Sequence, residues 1–281
     1  MSRTEKPKTP LRVELLKASH FSMLASIKPT KRLGWLRLML FRSWLSQAEK
    51  SLQSWLPAKR PYCLLAIEYK KPIALVILRP CNLRGSCWAV SFPELLGSPK
   101  ELSVKLIKQS LLQSSLQQEE NRAHSWIMRS PATDKNQLSI ARELGFQPLK
   151  IINHWLPPYT SNDSPILQQK DNKANFEWQD IDTKNAKYLW RLEQAGESSH
   201  HRQILDRQAK DLIEPSQSFN GILLSTGLKP YKALAGLITR DFYEDQLILE
   251  LVRDFAWDDR ISNYLPNILE KILKHPKNII L

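Results

Sequence analysis

The sequence is short of several things, and each shortage closes off a class of protein. Glycine occurs only 8 times in 281 residues, which excludes collagen-like and glycine-rich low-complexity chains. Cysteine occurs at three positions, Cys63, Cys81 and Cys87. The number is odd and no C-x-x-C pair is present. A disulfide scaffold is therefore not expected, a reducing cytoplasm is the expected compartment, and no zinc-ligand spacing is visible. Long apolar runs are missing too. The most apolar stretch, Leu33–Leu45, is interrupted by Arg37 and Arg42 and falls short of the ~20 apolar residues of a membrane span. The opening residues, MSRTEKPKTP, hold no apolar segment, so no secretory signal is expected.

Acidic residues are the other shortage. There are 28 Asp and Glu against 41 Lys and Arg, a formal net charge of +13. The excess is uneven. Residues 1–60 hold 13 basic and 3 acidic residues, residues 61–160 hold 12 and 7, and residues 161–281 hold 16 and 18. Such asymmetry suggests an anionic partner for the first part, nucleic acid included; the plain alternative is a soluble surface with a basic tail. Trp35, Trp44 and Trp55 lie in the same region. They read either as stacking or membrane-surface groups or as the core of an amphipathic helix pair.

What is present is ordinary for a soluble globular chain: 42% hydrophobic and 25% charged residues, at a length that suits two domains or one large one. Residues 1–10 read as a mobile tail. Leu11–Leu16 fits a strand, Ala18–Ile27 a helix, and Lys31–Leu56 a long helix ended by Pro57. Tyr62–Tyr69 and Pro72–Arg79 are β-rich runs separated by Lys70 and Lys71, the pattern of an antiparallel hairpin. Ser86–Phe92 is a third strand. Glu101–Leu116 carries Val104, Ile107, Leu111 and Leu112 on one helical stripe. Ala123–Arg129 is a fourth strand. Asp134 is a suitable N-cap for the helix Lys135–Leu144, which Gly145 ends, and Phe146–Leu156 is a fifth strand. The segment Tyr159–Asn175, rich in Ser, Asn, Asp and Gln, reads as an interdomain linker.

The second half replays this order. Phe176–Ile181 is a strand, Thr183–Gln194 a helix capped by Thr183, and Ser199–Ile213 a second helix. Gly221–Ser225 and Ala233–Thr239 form a hairpin, Gln246–Phe255 a strand and Ile261–Leu273 a helix. Asn278–Leu281 resembles the start of a further strand. Lys71-Pro72-Ile73-Ala74-Leu75 is echoed by Lys229-Pro230 and Ala233-Leu234. The expected division is thus a tail at 1–10, a first domain at 11–158, a linker at 159–175 and an incomplete second domain at 176–281.

The order strand, helix, helix, three antiparallel strands, helix, strand, helix, strand resembles that of the GNAT acetyltransferase superfamily. The stretch Asn136-Gln-Leu-Ser-Ile-Ala-Arg-Glu-Leu-Gly145-Phe146 is similar to the family's late helix, which begins near an Asn and ends at Gly-Phe. The resemblance implies an α/β (α+β) fold in two tandem units, each a mixed, mainly antiparallel sheet flanked by helices. It implies an N-acetyltransferase that passes acetyl directly from acetyl-CoA to an amine. The cofactor, acetyl-CoA or CoA, would lie along Val90–Ser98.

The family's diphosphate loop is roughly Gln/Arg-x-x-Gly-x-Gly/Ala; here the position reads Glu94-Leu95-Leu96-Gly97-Ser98-Pro99-Lys100. One glycine survives, and Pro99 has no N–H to give. Where the family often places a Tyr acid, four residues before Gly145, this chain has Ala141. The implied cofactor-binding residues are Val90, Phe92, Leu96, Gly97, Ser98, Lys100 and Asn136, with Glu94 as candidate base.

Each has a plain alternative. Gly97 and Ser98 also suit a turn and helix cap, Glu94 a solvated strand end, and Asn136 a first helical turn. Glu250 alternates with Leu249 and Leu251 and is expected to be solvated or paired on the opposite face. His200-His201 has no acidic or Cys partner at ligand spacing, and no metal site is expected. The segment Arg253–Arg260 of the second copy has no glycine, so no cofactor is expected there, and a structural role is the expectation.

Two other function classes stay open. One is a non-catalytic GNAT-like binding or interaction protein. The other is a basic RNA- or ribosome-associated factor using the N-terminal region. An acceptor, where there is one, is expected to be acidic or carried on a macromolecule. No membrane span is expected. A strand from a partner subunit completing the second unit would make a homodimer.

Overall fold

The computed structural model describes residues 11–20, 23, 61–100, 102–118, 123–153, 176–213, 220–225, 232–243 and 246–254. The helix expected at Lys31–Leu56, the linker, the helix at Ile261–Leu273 and the segment Asn278–Leu281 lie outside these residues. The chain divides into two compact units, Met1–Ile151 with Ile204–Asp206, and Ile152–Gln203 with Arg207–Leu281.

The first unit is built on a mixed sheet. β1 (Leu11–Leu15), β2 (Tyr62–Glu68), β3 (Lys71–Pro80) and β4 (Cys87–Val90) pair antiparallel in chain order. β5 (Glu94–Leu95) also pairs with β3, and β6 (Ser125–Met128) pairs with β4 in parallel. β2 and β3 are apolar on consecutive residues because both of their faces are buried. One face carries Leu64, Ala66, Ala74, Val76 and Leu78. It packs with Ile107, Leu111 and Leu112 of α1 (Val104–Leu116) and Ile140 of α2 (Lys135–Glu143). The other carries Cys63, Leu65, Ile67 and Leu75, packed with Leu16.

The turn between β2 and β3 is two residues, Tyr69 and Lys70, with Lys71 already in the strand. Both turn residues have positive φ, 46° and 63°, the pattern of a type I′ hairpin, which normally calls for Asn-Gly. Ser103 caps α1 by accepting from the Leu106 N–H. Asp134 caps α2 by accepting from the Asn136 and Gln137 N–H groups. Gly145, at φ 88°, ends α2. The Phe146 N–H reaches back to the Ala141 carbonyl and the Gly145 N–H to that of Arg142, a Schellman arrangement. The Gly-Phe pair is thus a helix stop whose Phe packs against the core.

Among the described residues the second unit has an antiparallel sheet of β7 (Phe176–Asp180), β8 (Gly221–Ser225), β9 (Lys232–Tyr243) and β10 (Gln246–Arg253), paired in chain order. Between β7 and β8 run α3 (Ala186–Gly196) and α4 (Ser199–Leu205), then a 3-10 turn, Ala209–Leu212. Leu189, Leu192, Leu212, Ile222, Leu224, Ile238 and Val252 form one cluster. Gly221 allows the Trp178 ring to lie where a Cβ would stand, within 2.0 Å of ring carbon Cζ2. Buried Glu193 accepts from Arg207 at 2.8 Å.

Three expectations need correction. The fifth strand is not formed over 146–153; Pro148 offers no N–H to a ladder, and Ile151 is 83% exposed. Ser199–Ile213 is not one helix, because Asp206 at φ 46° breaks it. Thr183 does not cap α3. The Asp182 carboxylate accepts from the Lys184 and Asn185 N–H groups instead. Glu250 is half-buried and has an interaction partner, in keeping with the paired reading, and its neighbour Leu251 is exposed. Period-two alternation puts Glu250 on the face of Val252, which belongs to the core.

Candidate functional site

The expected site residues are gathered where β4 hands over to α1. Ser86–Phe92 is not a single strand. β4 stops at Val90, the chain bulges at Ser91–Pro93, and pairing with β3 resumes at Glu94. The register slips by one residue between the two stretches, since Val90 faces Leu78 while Glu94 faces Leu75. One extra residue is the signature of a β-bulge. Ser91 pins the bulge to β3 twice, through its N–H to the Ile77 carbonyl at 2.9 Å and its hydroxyl from the Ile77 N–H at 2.9 Å. The β4–β6 ladder reaches only to Val90 and Met128. Beyond it one chain stays with β3 and the other leads through Pro131 to α2.

Val90 is buried and Phe92 half-buried, with the Lys108 ammonium 4.9 Å from the Phe92 ring centroid. Glu94 is half-buried, with its Oε2 enclosed. Leu96 is half-buried, and Gly97, Ser98 and Lys100 are exposed. Asn136 is exposed on the first turn of α2, a separate element. Six of the seven expected binding residues and Glu94 therefore share one stretch, and Asn136 stands apart in the chain. Lys105 of α1 binds Glu143 of α2 at 2.7 Å, and Gln109 and Ser139 also donate to Glu143. Lys105, with Ser139 and Gln109, holds the Glu143 carboxyl below its ordinary value.

The residue that sequence reasoning missed is Glu68. It ends β2, is 2% exposed, and its carboxylate accepts the Lys100 N–H at 2.8 Å. The signal was present: a lone acid closing the apolar run YCLLAIE, on a strand buried on both faces, must be hydrogen-bonded.

The loop can be tested against the diphosphate that the resemblance implies. A diphosphate needs converging backbone N–H groups. The Leu96 and Gly97 N–H groups both go to the Ile73 carbonyl, at 2.8 and 3.3 Å, and that of Lys100 goes to Glu68. Pro99 has none. Between Leu96 and Lys100 only Ser98 keeps an uncommitted N–H among the described residues. A Cβ at Gly97 would meet nothing closer than the Pro72 carbonyl at 3.9 Å, so no close backbone approach demands that glycine. The loop as it stands does not fit a diphosphate. Ala141 is a buried helix residue with no acid to offer.

In the second unit His201 is buried and bonded to Glu197. Among the described residues no group of three or more His, Cys, Asp or Glu is placed to hold a metal ion. Nor is any helix there long and apolar enough to cross a membrane.

No family model matches the chain, and no curated protein does. Solved structures do match. The chain is similar to GNAT acetyltransferases over about half its length. An aminoglycoside N-acetyltransferase in complex with CoA is 12% identical, with 55% of this chain and 99% of that one covered, at a TM-score of 0.36. A ribosomal-protein-alanine N-acetyltransferase from Brucella melitensis biovar Abortus is 13% identical, with 52% and 99% covered, at 0.33. A GNAT family acetyltransferase from Streptococcus pneumoniae is 16% identical, with 53% and 98% covered, at 0.29.

Proposed function

We propose that the first unit is an N-acetyltransferase of GNAT type, transferring acetyl directly from acetyl-CoA to an amine. The observation that carries the reading is the parallel pairing of β4 with β6 in a sheet whose other described pairs are antiparallel. Its ladder ends at Val90 and Met128, where β4 bulges and α1 follows. From β2 to α2 this follows the element order that the sequence resemblance implies, and the parallel ladder stops at the position expected for the donor. The donor would lie along Val90–Ser98, with Glu94 as base. The basic excess of residues 1–60 favours an acceptor that is acidic or carried on a macromolecule. The second unit acts as a structural copy.

A second reading, a GNAT-like protein without catalysis, is favoured by the committed loop amides and by Ala141. Calorimetric titration with acetyl-CoA and CoA, followed by transfer assays over an amine library, separates the two. Heat and turnover support the enzyme. Heat without turnover supports the binding protein. No heat and no thermal shift at millimolar ligand removes both. RNA binding with a steep salt slope would move the assignment to the basic N-terminal region.

A further inference from the structure

We propose that Glu68 is an internal anion that takes the place of the donor's diphosphate, so that the first unit recognises a thioester donor by its pantetheine arm and not by its nucleotide. This rests on the acyl-donor reading above and deepens it. A carboxylate and a diphosphate are both acceptors, and neither can donate. They compete for the same backbone donors, and two negative charges brought within a few ångström of one another repel. Glu68 already holds the Lys100 N–H at 2.8 Å. It cannot swing aside easily, being 2% exposed and the last paired residue of β2, opposite Leu11 on one side and Lys71 on the other. The neighbouring amides of Leu96 and Gly97 are taken by the Ile73 carbonyl. Of the described loop amides only that of Ser98 is left without an acceptor, so the loop offers a ligand no converging set of donors. The strand stretch Val90–Phe92 involves neither Glu68 nor the loop amides, so the part of a donor that lies there is indifferent to this carboxylate.

The test is calorimetric titration of wild type, Glu68→Gln and Glu68→Ala with CoA and with pantetheine, which lacks the nucleotide. Glu68→Gln keeps the size and one acceptor but removes the charge. The expected result has three parts. Wild type binds CoA no more tightly than pantetheine. Both variants bind CoA at least about tenfold more tightly than wild type does, which corresponds to about 1.4 kcal/mol. Pantetheine affinity stays within about twofold across the three proteins, well under that tenfold step. The comparison of the two ligands on wild type stands even where a variant fails to fold. The proposal is overturned if wild type prefers CoA tenfold, or if the variants change both affinities equally, as a general loosening of the loop would do. If no protein binds either compound, the acyl-donor reading itself is wrong, a result distinct from either of those.

Discussion

In the first unit β1 to β4 pair antiparallel in chain order, and in the second β7 to β10 do the same. The first then adds β6 in parallel to β4, with α1 as the crossover between them. Among its described residues the second unit has no such addition. A parallel neighbour requires a crossover, and a crossover puts a helix start beside the end of a strand. In the second unit α3 and α4 also follow a strand, but they lead from β7 to a neighbour that pairs with it antiparallel, so no parallel ladder ends beside them. Every residue singled out for donor binding except Asn136 lies at the first unit's junction, from Val90 to Lys100. Among the described residues the second sheet keeps the order of the first four strands and has no parallel neighbour. Its polar investment is instead the Glu193–Arg207 pair, 1% and 8% exposed at the side chains, which the first unit does not reproduce among the described residues.

The largest expected effects test whether the two units are separate cores. Glu193→Ala leaves the Arg207 charge buried without its partner and should cost about 3–5 kcal/mol. Leu111→Ala opens a cavity between α1 and the first sheet and should cost about 2–5 kcal/mol. In chemical denaturation each variant is expected to shift its own transition. A single transition moved equally by both would show that the units unfold as one. A loss below about 1 kcal/mol for Glu193→Ala would mean that water reaches the pair.

A smaller effect reads the first unit alone, because all three cysteines lie in it. Burial pushes the Cys63 thiol up to about 12, so almost no thiolate is present at pH 8. Cys87 is buried as well, and Cys81 is half-buried. Native protein treated with a thiol reagent is expected to label at Cys81 first. Cys63 should label only at the rate at which the unit opens, or directly as pH approaches 12. Fast labelling of Cys63 at pH 8 would contradict the packed face of Leu16, Leu65, Ile67 and Leu75.

The smallest effect is at Glu143. Its folded value is lowered, chiefly by Lys105. Its contribution is therefore present above the ordinary carboxylate value and lost as pH falls through the depressed one. The group is exposed, so Glu143→Gln should alter thermal stability only slightly, and less at high salt. A large change would mean that the α1–α2 contact matters more than a surface pair can.

Much of the fold was legible because local signals and tertiary packing agree. The buried strands around Leu64 and Val76, the Asp134 cap and the Gly145 stop all follow from residue type and spacing. The errors arose where a tertiary demand overrode a local one. Residues 146–153 have strand-like composition, but Pro148 and the exit from the Schellman turn keep them out of the sheet. Ser86–Phe92 reads as one strand because period-two patterning cannot register a bulge. For the site, the loop Glu94–Lys100 was legible as a position. The occupancy of its amides was not, because the acceptors are the Ile73 carbonyl, which every residue carries, and Glu68, far away in sequence.

The hairpin at Tyr69 and Lys70 has a consequence for how the loop could be opened. Each side chain held in left-handed backbone costs roughly 1–2 kcal/mol, so Lys70→Gly should stabilise the hairpin by about 1 kcal/mol. That turn also sets the parity of β2. Side chains alternate between faces, and a slip of one residue in the β2–β3 register would carry the Glu68 carboxylate to the opposite side of the sheet, away from the Lys100 N–H. Loop closure is in this sense a matter of counting along a strand, adjustable from a turn that no ligand need ever touch.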